Sequence, residues 1–186
     1  MRWLSLLQEI RGLKLDLARL DPRAGMPVLP PLGAAPRAIE AVERRLGRAL
    51  PPSYRELLEV HDGVPQLYHG ASLLGTKPLA RGTYVDLTRM VIDAPGVSGS
   101  DLVPFGIDAT GETIFAWDRA GASEDGELEV VVWVNEIVER VESFPAFLEL
   151  VREMLTAEID DRRRAAAPAS RRRALLSEPT VRFAAA

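Results

Sequence analysis

Apolar residues recur at steps of three and four along the start of the chain: Trp3, Leu6, Leu7, Ile10, Leu13, Leu17 and Leu20. That spacing places them on one face of a helix. The helix is expected to stop at Asp21-Pro22, because the residue before a proline is pushed out of the α region. Residues 22–35 hold four prolines and two glycines and read as an extended connector. Helical spacing returns at Ile39, Val42 and Leu46, with Pro36 in the first turn, where its missing N–H is harmless. Gly47 supplies a left-handed stop. A third helix begins at Pro52, sets Tyr54, Leu57, Leu58 and His61 on one side, and closes at the Asp62-Gly63 turn.

Beyond that turn the periodicity changes. Residues 64–70 show no period and read as a loop, and residues 71–74 as a short strand. Residues 83–93 place Tyr84, Leu87, Val91 and Ile92 at helical steps, and 94–100 are a loop by composition. Residues 102–107 and 113–117 form two strands around Asp108-Ala-Thr-Gly-Glu112, a hairpin with its glycine near the tip. The run 128–134 is apolar on both faces past Val130, as expected inside a covered sheet, and 137–141 pairs beside it as an edge strand. Ser143 caps a last helix whose stripe of Phe144, Phe147, Leu148, Val151, Leu155 and Ile159 is expected to cross the sheet. The resulting division is an N-terminal helix and connector (1–35), an α+β domain (36–161) and an Arg/Ala-rich tail (162–186) expected to be disordered.

Composition narrows the function classes. Of the 186 residues, 47% are apolar and 27% charged, which is the balance of an ordinary globular domain. No apolar run reaches the roughly 20 residues of a membrane span. Glu9, Arg11, Lys14, Asp16 and Arg19 interrupt the first segment, so it does not read as a signal peptide. The absence of cysteine excludes disulfides, thiolate nucleophiles and Cys-based zinc sites. A cytoplasmic address is expected. The net charge of −4 is unevenly spread: seven arginines against Glu178 give residues 162–186 +6, leaving −10 for residues 1–161. An acidic body suits a basic partner, or simply keeps the domain soluble.

Candidate chemistry is sparse. The loop 64–70, with Gln66, Tyr68 and His69, is the preferred interface segment, since it presents an aromatic in a non-periodic stretch. Asp108 and Glu112 place two carboxylates at a hairpin tip; a calcium loop needs more oxygen ligands, and the turn reading is preferred. Tyr54 and Trp133 fit core positions. Trp117, beside Asp118 at a strand end, reads equally as core or as a partner anchor. Glu124 and Asp125, in Ser123-Glu-Asp-Gly-Glu127, form either a solvated turn or a complement to a basic surface. His61 and His69 lack a metal-ligand spacing, and both read as core or capping residues. The arginine clusters lack interleaved aromatics, so specific nucleic-acid binding is not expected. No nucleophile–base set or phosphate-binding glycine loop is present, so neither catalysis nor a cofactor is expected.

The segment Ile39-Glu40-x-x-Glu43-x-x-Leu46-Gly47, then Leu50-Pro51-x-x-Tyr54-x-x-Leu57-Leu58, then His61-Asp62-Gly63, resembles the N-terminal signature of the SUKH superfamily. Leu102-Val-Pro-Phe-Gly-Ile-Asp108-x-x-Gly111-Glu112 with Ile114-Phe-x-Trp117-Asp118 is similar to its central hairpin, and Ser143-Phe144-x-x-Phe147-Leu148 to the start of its closing helix. The resemblance covers roughly residues 36–152. It implies helices packed on one curved, mostly antiparallel sheet, and a module that binds proteins. Many bacterial members neutralise toxins, often nucleases, and eukaryotic relatives act as regulatory scaffolds. The expectation is therefore an immunity protein gripping a cognate toxin. The alternatives are a scaffold with endogenous partners and a ligand-binding domain using a cleft between sheet and helices. The first helix and the arginine tail lie outside the resemblance.

Overall fold

The computed structural model describes residues 2–92, 102–134 and 136–166. The helices are α1 (Arg2–Leu20), α2 (Pro36–Leu46), α3 (Pro52–Val60), α4 (Thr76–Arg81), α5 (Thr83–Ile92) and α6 (Phe144–Ala166). The strands are β1 (Val64–Tyr68), β2 (Ala71–Leu73), β3 (Leu102–Ile107), β4 (Thr113–Ala122), β5 (Leu128–Val134) and β6 (Ile137–Val141). All six strands form one sheet in chain order, each pair antiparallel. The sheet curls into a half-barrel, the α+β arrangement anticipated from the sequence.

Helix ends follow the local chemistry. Gly47 takes a left-handed φ of 70° and donates its N–H to the Glu43 carbonyl, closing α2. The Ser143 hydroxyl accepts the Ala146 N–H at 3.3 Å and caps α6. The connector is tied to the end of α3: Ala34 N–H donates to the Leu58 carbonyl at 2.7 Å, an acceptor that the helix itself leaves free. His61 occupies the C-cap position of α3, where its backbone N–H donates to the Leu57 carbonyl and its Nδ1 lies 3.2 Å from the Pro31 carbonyl. His69 is exposed in the turn between β1 and β2, so the core or capping reading does not hold for it.

Four elements differ from the sequence expectation. Residues 64–68 are strand, not loop; Pro65 obscured the strand and is admitted because β1 is a sheet edge that needs no ladder donor there. The six-residue α4 is too short to show a period, and the Asp62 carboxylate starts it by accepting the Thr76 N–H and hydroxyl. Strand β4 runs on to Ala122, past the expected end at Trp117. Helix α6 continues to Ala166, so Arg162, Arg163 and Arg164 lie on its last turns and not in a tail. The loop reading of 94–100 and the disorder reading of 167–186 fall outside the described residues.

One face of the sheet meets the helices. Tyr54 from α3 sits edge-on to Phe105, Trp117 and Phe144, with ring centroids 4.8–5.2 Å apart. Its hydroxyl donates to the Leu74 carbonyl at 2.7 Å. Burial, then the Asp62 charge, push the phenol up despite that bond, so it stays a neutral donor. The other face holds a smaller cluster of Leu102, Ile114, Ala116, Val131 and Trp133. Burial on both faces explains why β5 reads as nearly continuous apolar sequence.

Helix α1 belongs to the same core. Trp3, Leu6, Ile10 and Leu17 are buried among the sheet and helix residues, and the Trp3 indole donates to Glu56 on α3 at 2.8 Å. Glu9 pairs with Arg152 and Asp21 with Arg162. Residue numbers climb together along both helices, so α1 and α6 lie parallel.

Candidate functional site

The β1–β2 hairpin is the least relaxed backbone described. Tyr68 pairs with Ala71, leaving His69 and Gly70 as a two-residue turn with φ of 43° and 81°. Positive φ at both positions is the type I′ geometry, whose twist matches that of antiparallel strands. His69 fills a place where Asn is usual, and left-handed backbone costs a side-chain-bearing residue roughly 1–2 kcal/mol. Gln66, with φ of 49°, sits where the β1 register shifts. Its backbone leaves the ladder and is satisfied by side chains: Ser72 Oγ accepts its N–H at 2.9 Å, and Lys14 Nζ donates to its carbonyl. Among the described residues, Gln66 and His69 are the two non-glycine positions with positive φ.

Both line one cleft of about 480 Å³, with α1, α6 and the short 3-10 turn Pro22–Ala24 forming its other walls. Arg162 bridges two carboxylates there: Nη2 donates to Glu158 Oε1 at 3.0 Å and Nη1 to Asp21. Glu158 Oε2 is buried without a hydrogen bond and lies 3.5 Å from His69 Nε2. The Tyr68 ring packs edge-on to His69 at 4.2 Å. Burial, then the Glu158 charge, push the Tyr68 phenol up, while burial lowers Lys14. The cleft thus presents a phenol, an imidazole and a carboxylate oxygen, on a backbone held away from its relaxed form.

The other sequence candidates lie elsewhere. Ser72 pairs with Ile107, so the β3–β4 turn, with Asp108 and Glu112, lies at the same end of the sheet as His69. Asp108 Oδ1 accepts the Gly111 and Glu112 N–H groups at 2.6 and 3.0 Å, and Oδ2 accepts the Thr110 hydroxyl at 3.1 Å. Desolvation raises its pKa, but the Thr110, Gly111, Thr113 and Glu112 hydrogen bonds together outweigh it and hold the carboxyl below its ordinary range. Asp108 is engaged in its own turn. Glu112 is exposed.

Glu124 and Asp125 sit at the opposite end of β4, a ten-residue strand spanning about 30 Å. Both are exposed, and Asp125 is held low by the Ser123 hydroxyl and the Glu127 N–H. Asp118 faces Glu129 across β4–β5, and Arg140 resolves that like-charge pair, donating to them at 2.8 and 2.9 Å. Trp117 is corrected: it is 1% exposed, stacked on Phe105 at 4.5 Å, and is core, not a surface anchor.

The sequence reading missed Glu127 and Glu158. Glu127 is buried and accepts the Ser53 N–H and hydroxyl, both at 2.8 Å, at the start of α3. Pro51, at the N-cap of α3, has no side chain able to do this. Only the abrupt switch from an exposed acidic run into Leu128 hints at it. Glu158 sits at the edge of an apolar stripe and has no sequence signal of its own. Among the described residues, no three His, Asp or Glu side chains converge as a metal-ligand set, and no helix is long and apolar enough to cross a membrane.

The motif order in residues 36–152, the meander sheet and the closing helix agree with a family model that matches residues 33–150, described as the SMI1 / KNR4 family (SUKH-1). The chain belongs to this family. In this SUKH-1 chain the match takes in the sheet, α2 to α5 and the first turns of α6, while α1 lies before it although it shares the core. Among curated proteins, none matches the sequence.

Proposed function

We propose that this SUKH-1 protein is a cytoplasmic immunity protein that binds and neutralises a cognate toxin presenting a basic surface, a nuclease being one suitable class. Family membership over residues 33–150 supports a protein-binding module and is the observation on which the reading stands. The charge distribution adds to it: the −10 of residues 1–161 includes exposed Glu112, Glu124 and Asp125 on turns, where they can meet a basic partner without rearrangement. Binding is favoured over catalysis because Asp108, Asp118 and Glu127 are each engaged in hydrogen bonds that hold turns, strands or a helix start.

Co-expression with a toxin encoded by a neighbouring gene is the test. Survival of cells carrying both, with loss of protection on reversing Glu124 and Asp125 to lysine, is the expected result. Full lethality in the presence of the protein rejects the pairing. Pull-down from unchallenged cells that recovers only endogenous proteins, with no protective phenotype, supports the regulatory-scaffold alternative instead.

A further inference from the structure

A second concavity adjoins the polar cleft and shares Lys14 and Gln66 with it. Helix α1, the connector and β1 enclose about 200 Å³. That is below the roughly 300–1,000 Å³ of clefts that take up a drug-sized molecule, so it suits one or two side chains. The floor is apolar, formed by Leu4, Leu7, Pro27, Val28, Leu29 and Pro65 among others. On the connector, Val28 and Leu29 are 46% and 65% exposed, an unusual presentation of aliphatic side chains beside a groove. The charged residues lining it are Arg11 and Lys14, and no carboxylate lines it. On a chain whose body carries −10, this is a local inversion of sign.

We propose that this groove docks a segment of the partner protein in which apolar anchors are flanked by carboxylates. The proposal rests on the protein-binding reading above and names the chemistry of a contact separate from the acidic turns. Charge complementarity selects the occupant: leucine-like anchors fill the floor while glutamates or aspartates meet Arg11 and Lys14. The chain's own residues 167–186 have the wrong sign, with four arginines against Glu178. A second copy carries a comparable patch, exposed Val134 and Ile137 beside Glu136 and Glu139. Dimerisation of the full chain in size-exclusion chromatography that Arg11→Glu abolishes would therefore assign the groove to a second copy and overturn the proposal.

Fluorescence polarisation of the full chain with a short fluorescein-labelled peptide, a leucine pair flanked by glutamates, tests this. The expected result is saturable binding about tenfold tighter than for the lysine-flanked analogue, and loss of binding when serines replace the leucines. Arg11→Glu, an exposed change, is expected to invert the preference, and Leu29→Ser to weaken binding of the glutamate peptide. Equal or tighter binding of the lysine analogue, insensitivity to both variants, or no binding of any peptide overturns the proposal. So does full competition by sodium decanoate at equal concentration, which would assign the groove to a fatty acid. The readout is peptide binding and not cell survival, so failure in the toxin assay and failure here are told apart.

Discussion

The β1 side of the molecule and the turns of β3 to β6 differ in backbone strain and in exposed apolar surface. In the turns, Asp108 closes the β3–β4 hairpin on backbone N–H groups, Asp125 does the same at β4–β5, and Glu127 reaches across to start α3. Arg140 neutralises Asp118 and Glu129. On the β1 side, two residues hold left-handed backbone and an apolar groove lined by exposed Val28 and Leu29 opens. Buried polar atoms without a hydrogen bond occur on both sides, Glu158 Oε2 on one and Trp117 Nε1, Arg119 Nε and Trp133 Nε1 on the other. Backbone strain and exposed apolar side chains are thus concentrated on the β1 side, while the turn carboxylates are used in holding their own backbone. The contrast accords with the proposed docking at the groove on the β1 side, with the acidic turns as a charged surface suited to steering.

The largest test of this contrast concerns whether α1 is scaffold or appendage. Ile10, only 1% exposed, faces the core from α1. Ile10→Ala is expected to cost about 2–5 kcal/mol in urea unfolding; a change below 1 kcal/mol would show that the groove's wall is not fixed by the core. Next in size is a pair of glutamates three positions apart. Glu127→Ala strands the Ser53 N–H and hydroxyl and is expected to cost about 1–3 kcal/mol, whereas Glu124→Ala at the exposed tip stays within about 0.5 kcal/mol. Equal effects would erase the distinction between structural and partner-facing carboxylates.

The smallest effect is pH-dependent. Because Asp108 titrates below its ordinary value of 3.8 in the folded chain, its contribution is complete above that pH and is lost as pH falls through the lower folded value. Asp108→Asn keeps an acceptor but removes the charge, and is therefore expected to lower stability by about 1 kcal/mol at neutral pH. The gap from the unaltered chain should close below pH 3.8. Denaturant midpoints measured from neutral to acid pH check this, and a gap that persists in acid would deny Asp108 its role as an ionised turn cap.

Much of the fold was legible because it is encoded locally. The steps of three and four in α1, α2, α3 and α6, the glycine stop at Gly47 and the Asp108–Glu112 turn each express preferences of a few neighbouring residues. The helix boundaries inferred from Pro22, Pro36 and Pro52 hold for the same reason. Strand β1 was hidden because Pro65 and the bulge at Gln66 break alternation, and an edge strand tolerates both. Trp117 was undecided since a strand end has the same local pattern whether its ring points into a core or outward. Glu124, Asp125 and Glu127 read as one acidic run, yet burial separates the last from the other two.

What the sequence determined by itself, then, was the family-like order of helices and strands, the chemistry of the turns and the uneven charge, all set by residues close together in the chain. Tertiary structure alone decided that α1 completes the core in parallel with α6, and that Gln66, His69 and Glu158 meet in one cleft. It alone ringed an apolar groove on an acidic protein with Arg11 and Lys14. Several of those contacts join positions separated by 50 residues or more, as between Lys14 and Gln66, 52 positions apart. Burial and pairing over such separations follow from how packed elements close on one another, and no local spacing records them.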